Sequence, residues 1–159
     1  MKNLSSKILF ALALVWGLNL SVLAQSSKEE VDLFQAAFGM QKKELISGFL
    51  KLENDNPFWA IYDEYETKRK DLGKKRIDLL ERYVTNYNNM NDDQIESFML
   101  ELLILKKNTD RLIDTYYSKV KKACGPKVGA QFFQIENYIL SAIRIQIMES
   151  IPFIGELDE

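Results

Sequence analysis

Asn88-Asn89-Met90-Asn91-Asp92-Asp93-Gln94-Ile95 is the stretch whose reading decides the fold. Asn91 is placed to cap a helix, its side-chain oxygen accepting from the backbone N–H of Gln94. Gln94, at the third helical position, reaches back to the N–H of Asn91, and the two reciprocal bonds make a capping box. Met90 before the cap and Ile95 one turn in supply the apolar staple of the same device. Asp92 and Asp93 fall in the first turn, where the helix dipole favours negative charge. Met90, Asn91, Gln94 and Ile95 are thus a helix-start motif that no ligand is needed to explain.

Downstream of the cap, Ile95, Phe98, Met99, Leu102, Leu105, Thr109, Leu112, Tyr116 and Val120 recur at the three- and four-residue spacing of one helix face, which predicts a helix over 92–123. Upstream, Phe58, Tyr62, Tyr65, Leu72, Leu79, Tyr83 and Tyr87 make an equivalent stripe over 57–87, interrupted by Arg69 and Arg76. Glu66 and Lys70 have the spacing of a solvated i,i+4 pair beside it. At 1.5 Å per residue the second helix would be about 45 Å long. Two long helices of matched length, joined by the short polar segment 88–91, are expected to fold back antiparallel.

Further out, Val31, Phe34, Phe38, Gln41, Leu45, Phe49 and Leu52 mark a helix that the polar run 53–56 should stop. Asn56 is a cap for the next helix and Pro57 its first residue, where a missing N–H costs nothing. After Gly125-Pro126 a last stripe follows, Val128, Phe132, Ile135, Ile139, Ile143 and Ile147, ending near Ser150. The segment 151–156 is apolar enough to fold back on the body or to dock on a partner. The expectation is an all-α chain: a long antiparallel hairpin with flanking N- and C-terminal helices, about four in all, forming one domain over 25–159.

Residues 1–24 read as a signal peptide. Lys2 and Lys7 give a positive start, 8–23 is almost wholly apolar, and Val22-Leu23-Ala24 ends in a small residue, so cleavage is expected between Ala24 and Gln25. The alternative, a retained anchor, asks for roughly 20 apolar residues, and this run has 16. No cysteine follows Ala24, which argues against a lipoprotein. Loss of Lys2 and Lys7 leaves 19 basic against 23 acidic side chains, a net of −4. Phosphate backbones demand a basic face, so nucleic acid is not an expected partner, and neither is an anionic lipid surface or insertion in the membrane after cleavage.

The chain has no histidine and one cysteine, Cys124. A Ser or Cys nucleophile would lack its usual imidazole base, and neither a His-containing metal site nor a thiolate cluster can form. Gly125-Pro126-Lys127 lacks the spacing of a phosphate loop. Adjacent acids such as Asp63-Glu64 diverge on a helix and read as solvated. The expectation is therefore no enzyme, no cofactor and no metal. Met40, Met90, Met99 and Met148 read as core filler, and Cys124 as a small buried residue near a helix end or, alternatively, an intermolecular disulfide or a redox handle. The aromatic side chains Phe58, Trp59, Tyr62 and Tyr65, with Tyr116 and Tyr117 returning beside them, have two readings: ordinary core, or an amphipathic groove for a client or partner helix.

The apolar-cap-x-x-Gln pattern of residues 90–94 resembles the Leu-Thr-x-x-Gln motif of the Spy/CpxP family of periplasmic proteins. A second copy, which members of that family often carry, is missing at 52–56, where Glu53 is a poor cap and no Gln follows. Over roughly residues 30 to 155 the chain, from Phe58-Trp59-Ala60-Ile61-Tyr62-Asp63-Glu64-Tyr65 to Ala130-Gln131-Phe132-Phe133-Gln134-Ile135-Glu136 and the closing Ile151-Pro152-Phe153, also resembles a group of secreted bacterial proteins, some labelled sensors of extracytoplasmic-function sigma factors. The first resemblance implies a periplasmic all-helical homodimer that holds unfolded proteins without ATP, or an adaptor in envelope stress. The second implies a sensor acting through a membrane anti-sigma factor. A structural envelope protein is the third expectation.

Overall fold

The computed structural model describes residues 28–154, with side chains from residue 36 onward. The leader, the Ala24–Gln25 junction and the side chains of Val31 and Phe34 lie outside the described residues. Among the described residues every element is helical: α1 Lys28–Leu50, α2 Phe58–Asn86, a 3-10 turn Tyr87–Asn89, α3 Asp92–Cys124 and α4 Pro126–Ser150. The all-α expectation holds, and the hairpin and its two flanking helices fall where the stripes place them.

Each helix end has a local cause. Asn91 accepts from the Gln94 N–H at 3.0 Å and donates its own N–H to Gln94 Oε1 at 2.9 Å, so both arms of the capping box form. At the start of α2, Asn56 Oδ1 accepts from the Phe58 N–H at 3.0 Å, while Pro57 already has helical angles. That is the geometry expected of a cap followed by proline. α1 stops at Leu50 because Lys51 adopts a left-handed conformation, φ 52°. The polar run at 53–56 lies beyond that stop. Between α3 and α4 only Gly125 intervenes, at φ 89°, a value that side chains with a Cβ rarely tolerate. One turn on, a Cβ at Gly129 would lie 2.9 Å from the Lys121 Cβ, so the two helices could not leave the turn this close with any larger residue.

Side-chain pairs give the register. Lys119–Glu64 and Arg82–Glu101 run antiparallel between α3 and α2. Asp110–Arg144 and the Tyr117–Phe133 rings do the same for α3 and α4. α1 lies antiparallel on α2 through Lys42–Glu66 and Lys43–Asp63 and also meets α4. α3 packs along both α2 and α4. The result is an up-and-down bundle with two apolar clusters, one built on Ile46, Phe58, Tyr62, Tyr65, Tyr116 and Phe132, the other on Leu79, Tyr83, Phe98 and Leu105.

Between the clusters Arg144 pairs with Asp110 at 3.2 Å, close to the half-buried Arg76. Burial, together with the charge of Arg144, lowers the Arg76 guanidinium from its ordinary range against the pull of Asp110. The tail folds back, as one of its two expected fates had it: Ile151 packs on the second cluster and the Tyr83 hydroxyl donates to the Pro152 carbonyl at 2.7 Å.

The buried face of α1 is rotated from the expected stripe. Lys42, Ile46 and Leu50 are its buried residues, with Phe38, Leu45 and Phe49 half-buried at the edge. The sequence stripe ran through Gln41 and left out Lys42, Ile46 and Leu50 alike, and what admits Lys42 to the core is a pair of carboxylates supplied by other helices.

Candidate functional site

The aromatic set comes together as its spacing suggested. Phe58, Tyr62, Tyr65 and Tyr116 are fully buried, and Phe132 from α4 completes the cluster. Tyr65 lies edge-on to Phe132 at 5.2 Å and tilted against Tyr116 at 5.4 Å; Phe58 stacks on Tyr62 at 5.5 Å. Of their two readings these four therefore follow the core one, because α1 and α4 both cover the stripe of α2. Trp59 and Tyr117 stay half-exposed. The Trp59 indole N–H donates to the Glu53 carbonyl at 2.9 Å, and Tyr117 meets the Phe133 ring at 5.7 Å.

A charged cluster is enclosed beside these rings. The Lys42 ammonium, in a residue only 4% exposed, donates to Glu66 Oε1 and Glu136 Oε2, each at 2.7 Å. Tyr65 donates its hydroxyl to the same Glu136 oxygen at 2.6 Å, and Arg69 holds Glu66 at 2.9 Å while covering the Phe38 ring. Lys42 also lies 5.1 Å from the Tyr65 ring centroid, near enough for a cation–π contribution. Burial alone would raise the Glu66 carboxyl, but Lys42 and Arg69 outweigh it and hold it below the ordinary range. Burial, then the nearby Glu136 and Glu66 charges, drives the Tyr62 hydroxyl far above the phenol range, so it stays protonated.

Chemically the cluster is closed. Its two carboxylates are balanced by the Lys42 ammonium between them and the Arg69 guanidinium on Glu66, and among the described residues no group of three or more His, Cys, Asp and Glu side chains is arranged for a metal. The burial of Glu66 also corrects the expected solvated pair with Lys70, since Glu66 turns inward to Lys42 and Arg69. Three side-chain oxygens are enclosed without a hydrogen-bond partner among the described residues, the Tyr62 and Tyr116 hydroxyls and Glu136 Oε1. Sequence reasoning passed over Lys42 and Glu136. Lys42 lies four residues before Ile46, and Glu136 four after Phe132. A charge of each sign at stripe spacing on two different helices is the signal that would have found them.

The outer surface carries more apolar area than expected. Met40, Met99 and Met148 are exposed, so three of the four methionines read as core filler lie outside, and only Met90 packs, against the second cluster. On the outer face of α4, Tyr138, Ile145 and Met148 are exposed, and beyond the helix Phe153 and Ile154 are exposed as well. Charge is absent from the α4 face between residues 134 and 148, because Glu136 is buried and Arg144 turns to Asp110. The strip covers 15 residues, about 22 Å of helix.

Cys124 is half-buried at the end of α3, its Sγ 3.5 Å from Asn56 Oδ1, and burial raises its thiol above the ordinary value. A protonated thiol is a poor nucleophile. No helix among the described residues is long and apolar enough to cross a membrane. Comparison of the chain with protein-family models, with curated proteins and with solved structures gives no match.

Proposed function

We propose that the chain is a non-enzymatic binding protein of the bacterial periplasm, a client-holding chaperone or envelope-stress adaptor of the Spy/CpxP kind, active after its leader is removed. The observation that carries the reading is the uncharged outer face of α4 with exposed Tyr138, Ile145 and Met148. Three exposed large apolar side chains on one uncharged helix face suit an interaction surface. Tyr and Met suit loosely specified partners, one by its amphipathic ring and the other by its flexibility. The chain's lack of histidine fits a role in binding.

The test is light scattering from an unfolding client in the presence of equimolar purified protein. Suppression of aggregation is expected, and Ile145→Asp with Met148→Asp should remove most of it while the helical circular-dichroism signal stays. No suppression by the unaltered protein ends the chaperone form. Co-purification of one membrane partner in that case would move the assignment to the sensor.

A further inference from the structure

Of the four helices α1 is the most loosely held. It meets α2 and α4 far more sparsely than α3 does, and its tie to α2 is the loop 51–57, which opens on the left-handed Lys51. Its buried residues among the described side chains are Lys42, Ile46 and Leu50, a single line at four-residue spacing. Beneath that line lie Phe58, Tyr62, Tyr65 and Phe132, and at its Lys42 end the carboxylates of Glu66 and Glu136.

The fit is incomplete at the acidic end. The Lys42 ammonium reaches one oxygen of each carboxylate, Glu66 Oε1 and Glu136 Oε2. Glu136 is 2% exposed, and its Oε1 is enclosed without a hydrogen-bond partner among the described residues. So is the hydroxyl of Tyr62, whose ring centroid lies 5.8 Å from the same ammonium. Undocking α1 returns the charges to water, which offsets most of their attraction, so the ion pairs do little to hold the helix down. An enclosed oxygen with no donor weakens the hold further. A lysine gathers its donors on one nitrogen, whereas a guanidinium presents a planar fork that grips both oxygens of a carboxylate.

We infer that α1 masks a binding groove. When it swings away on the 51–57 loop, the same surface takes an amphipathic helix of a partner protein, with an arginine at the Lys42 position and apolar side chains four and eight residues after it. α1 is the template for that occupant in charge and spacing, and the arginine supplies the donor that Glu136 Oε1 lacks. A helix laid in a groove is read by such anchors on successive turns. The partner binds only the open state and so draws the chain toward it, while docked α1 competes. The groove is a different surface from the outer face of α4, and the inference does not rest on the client-holding reading.

Fluorescence polarisation tests it with two labelled peptides, the sequence of residues 38–52 and the same sequence carrying Lys42→Arg, each titrated with the purified protein. The arginine peptide should bind saturably and about tenfold more tightly than the lysine one, a difference equivalent to about 1.4 kcal/mol. α1 competes with both peptides alike, so their ratio reports on the groove alone. Glu136→Gln in the protein should bring that ratio close to one. In a Cys124→Ser background, Lys43→Cys with Asp63→Cys replaces an exposed ion pair between α1 and α2. Joining these two thiols with a short bis-maleimide should abolish peptide binding, and the unjoined variant should retain it. Cross-links between copies instead of within one would give the groove to the α1 of a second chain and overturn the inference. It is overturned equally by no binding of the arginine peptide, by equal binding of the two peptides, or by binding that survives the cross-link. The readout is peptide affinity, so failure here is distinct from failure to suppress aggregation.

Discussion

In the half of the bundle nearest the α3–α4 turn, four helices converge on Phe58, Tyr62, Tyr65, Tyr116 and Phe132, with Ile46 from α1 among them. In the other half Leu79, Tyr83, Phe98 and Leu105 are enclosed by α2 and α3, with Ile151 of the tail laid across them. The first half admits three charged residues to its interior, Lys42, Glu66 and Glu136. The second admits none among the described side chains and is organised by a capping box at its tip. One region is held together by contacts between distant parts of the chain. The other rests mostly on neighbours and a local cap, so the two should respond differently to the same kinds of damage.

The largest difference is expected at Lys42. Lys42→Met leaves Glu136 and Glu66 without the ammonium between them, and breaking a buried charge pair costs about 3 to 5 kcal/mol. Urea unfolding should show that loss, and hydrogen exchange should show α1 opening first while the α2–α3 tip keeps its protection. Adding Glu136→Gln should recover part of the loss, because Glu66 keeps Arg69 and Glu136 is the carboxylate left without its cation.

Acid probes the same contact without mutation. A carboxyl whose folded pKa is depressed stabilises the fold above its unfolded value and loses that contribution as pH falls through the folded one. For Glu66, held below its ordinary 4.5, protection of α1 should be full above that pH and fade beneath it. Loss of α1 protection on the alkaline side of neutrality would contradict this account.

Next in size is Phe98→Ala in the second cluster. Phe98 stacks on Tyr83 with ring centroids 4.6 Å apart and keeps 9% of its surface exposed. A loss of about 3 kcal/mol is expected, the low end for such a truncation, with exchange now fastest at the tip and slow near Phe132. If α1 opened instead, the two halves would not be separate units.

The smallest effect belongs to the cap. Asn91→Ala should cost about 1 kcal/mol, read as a shift in the urea midpoint with an unchanged slope. It should speed exchange only in the first turn of α3.

The expectations that succeeded were local ones. Asn91 and Gln94 are three residues apart, so their mutual bonds follow from the sequence once a helix starts there. The cap at Asn56 and the helix start at Pro126 are equally short-range. The partial failures lie where one helix must know what another offers. Lys42 reaches Glu66 across 24 residues and Glu136 across 94, and periodicity within one helix does not show those partners. The exposed methionines have the same origin: periodicity marks which side chains share a face, and only the number of covering helices says whether that face is buried.

From sequence alone came the helices, their caps and the hairpin, since backbone hydrogen bonding and three-to-four-residue spacing are properties of contiguous chain. Tertiary structure decided that the aromatic stripe of α2 is sealed under α1 and α4, that three charges are enclosed there, and that the outer faces of α3 and α4 are left with apolar side chains in water. Burial depends on what packs from elsewhere, and a charge enters an interior only where a distant residue neutralises it.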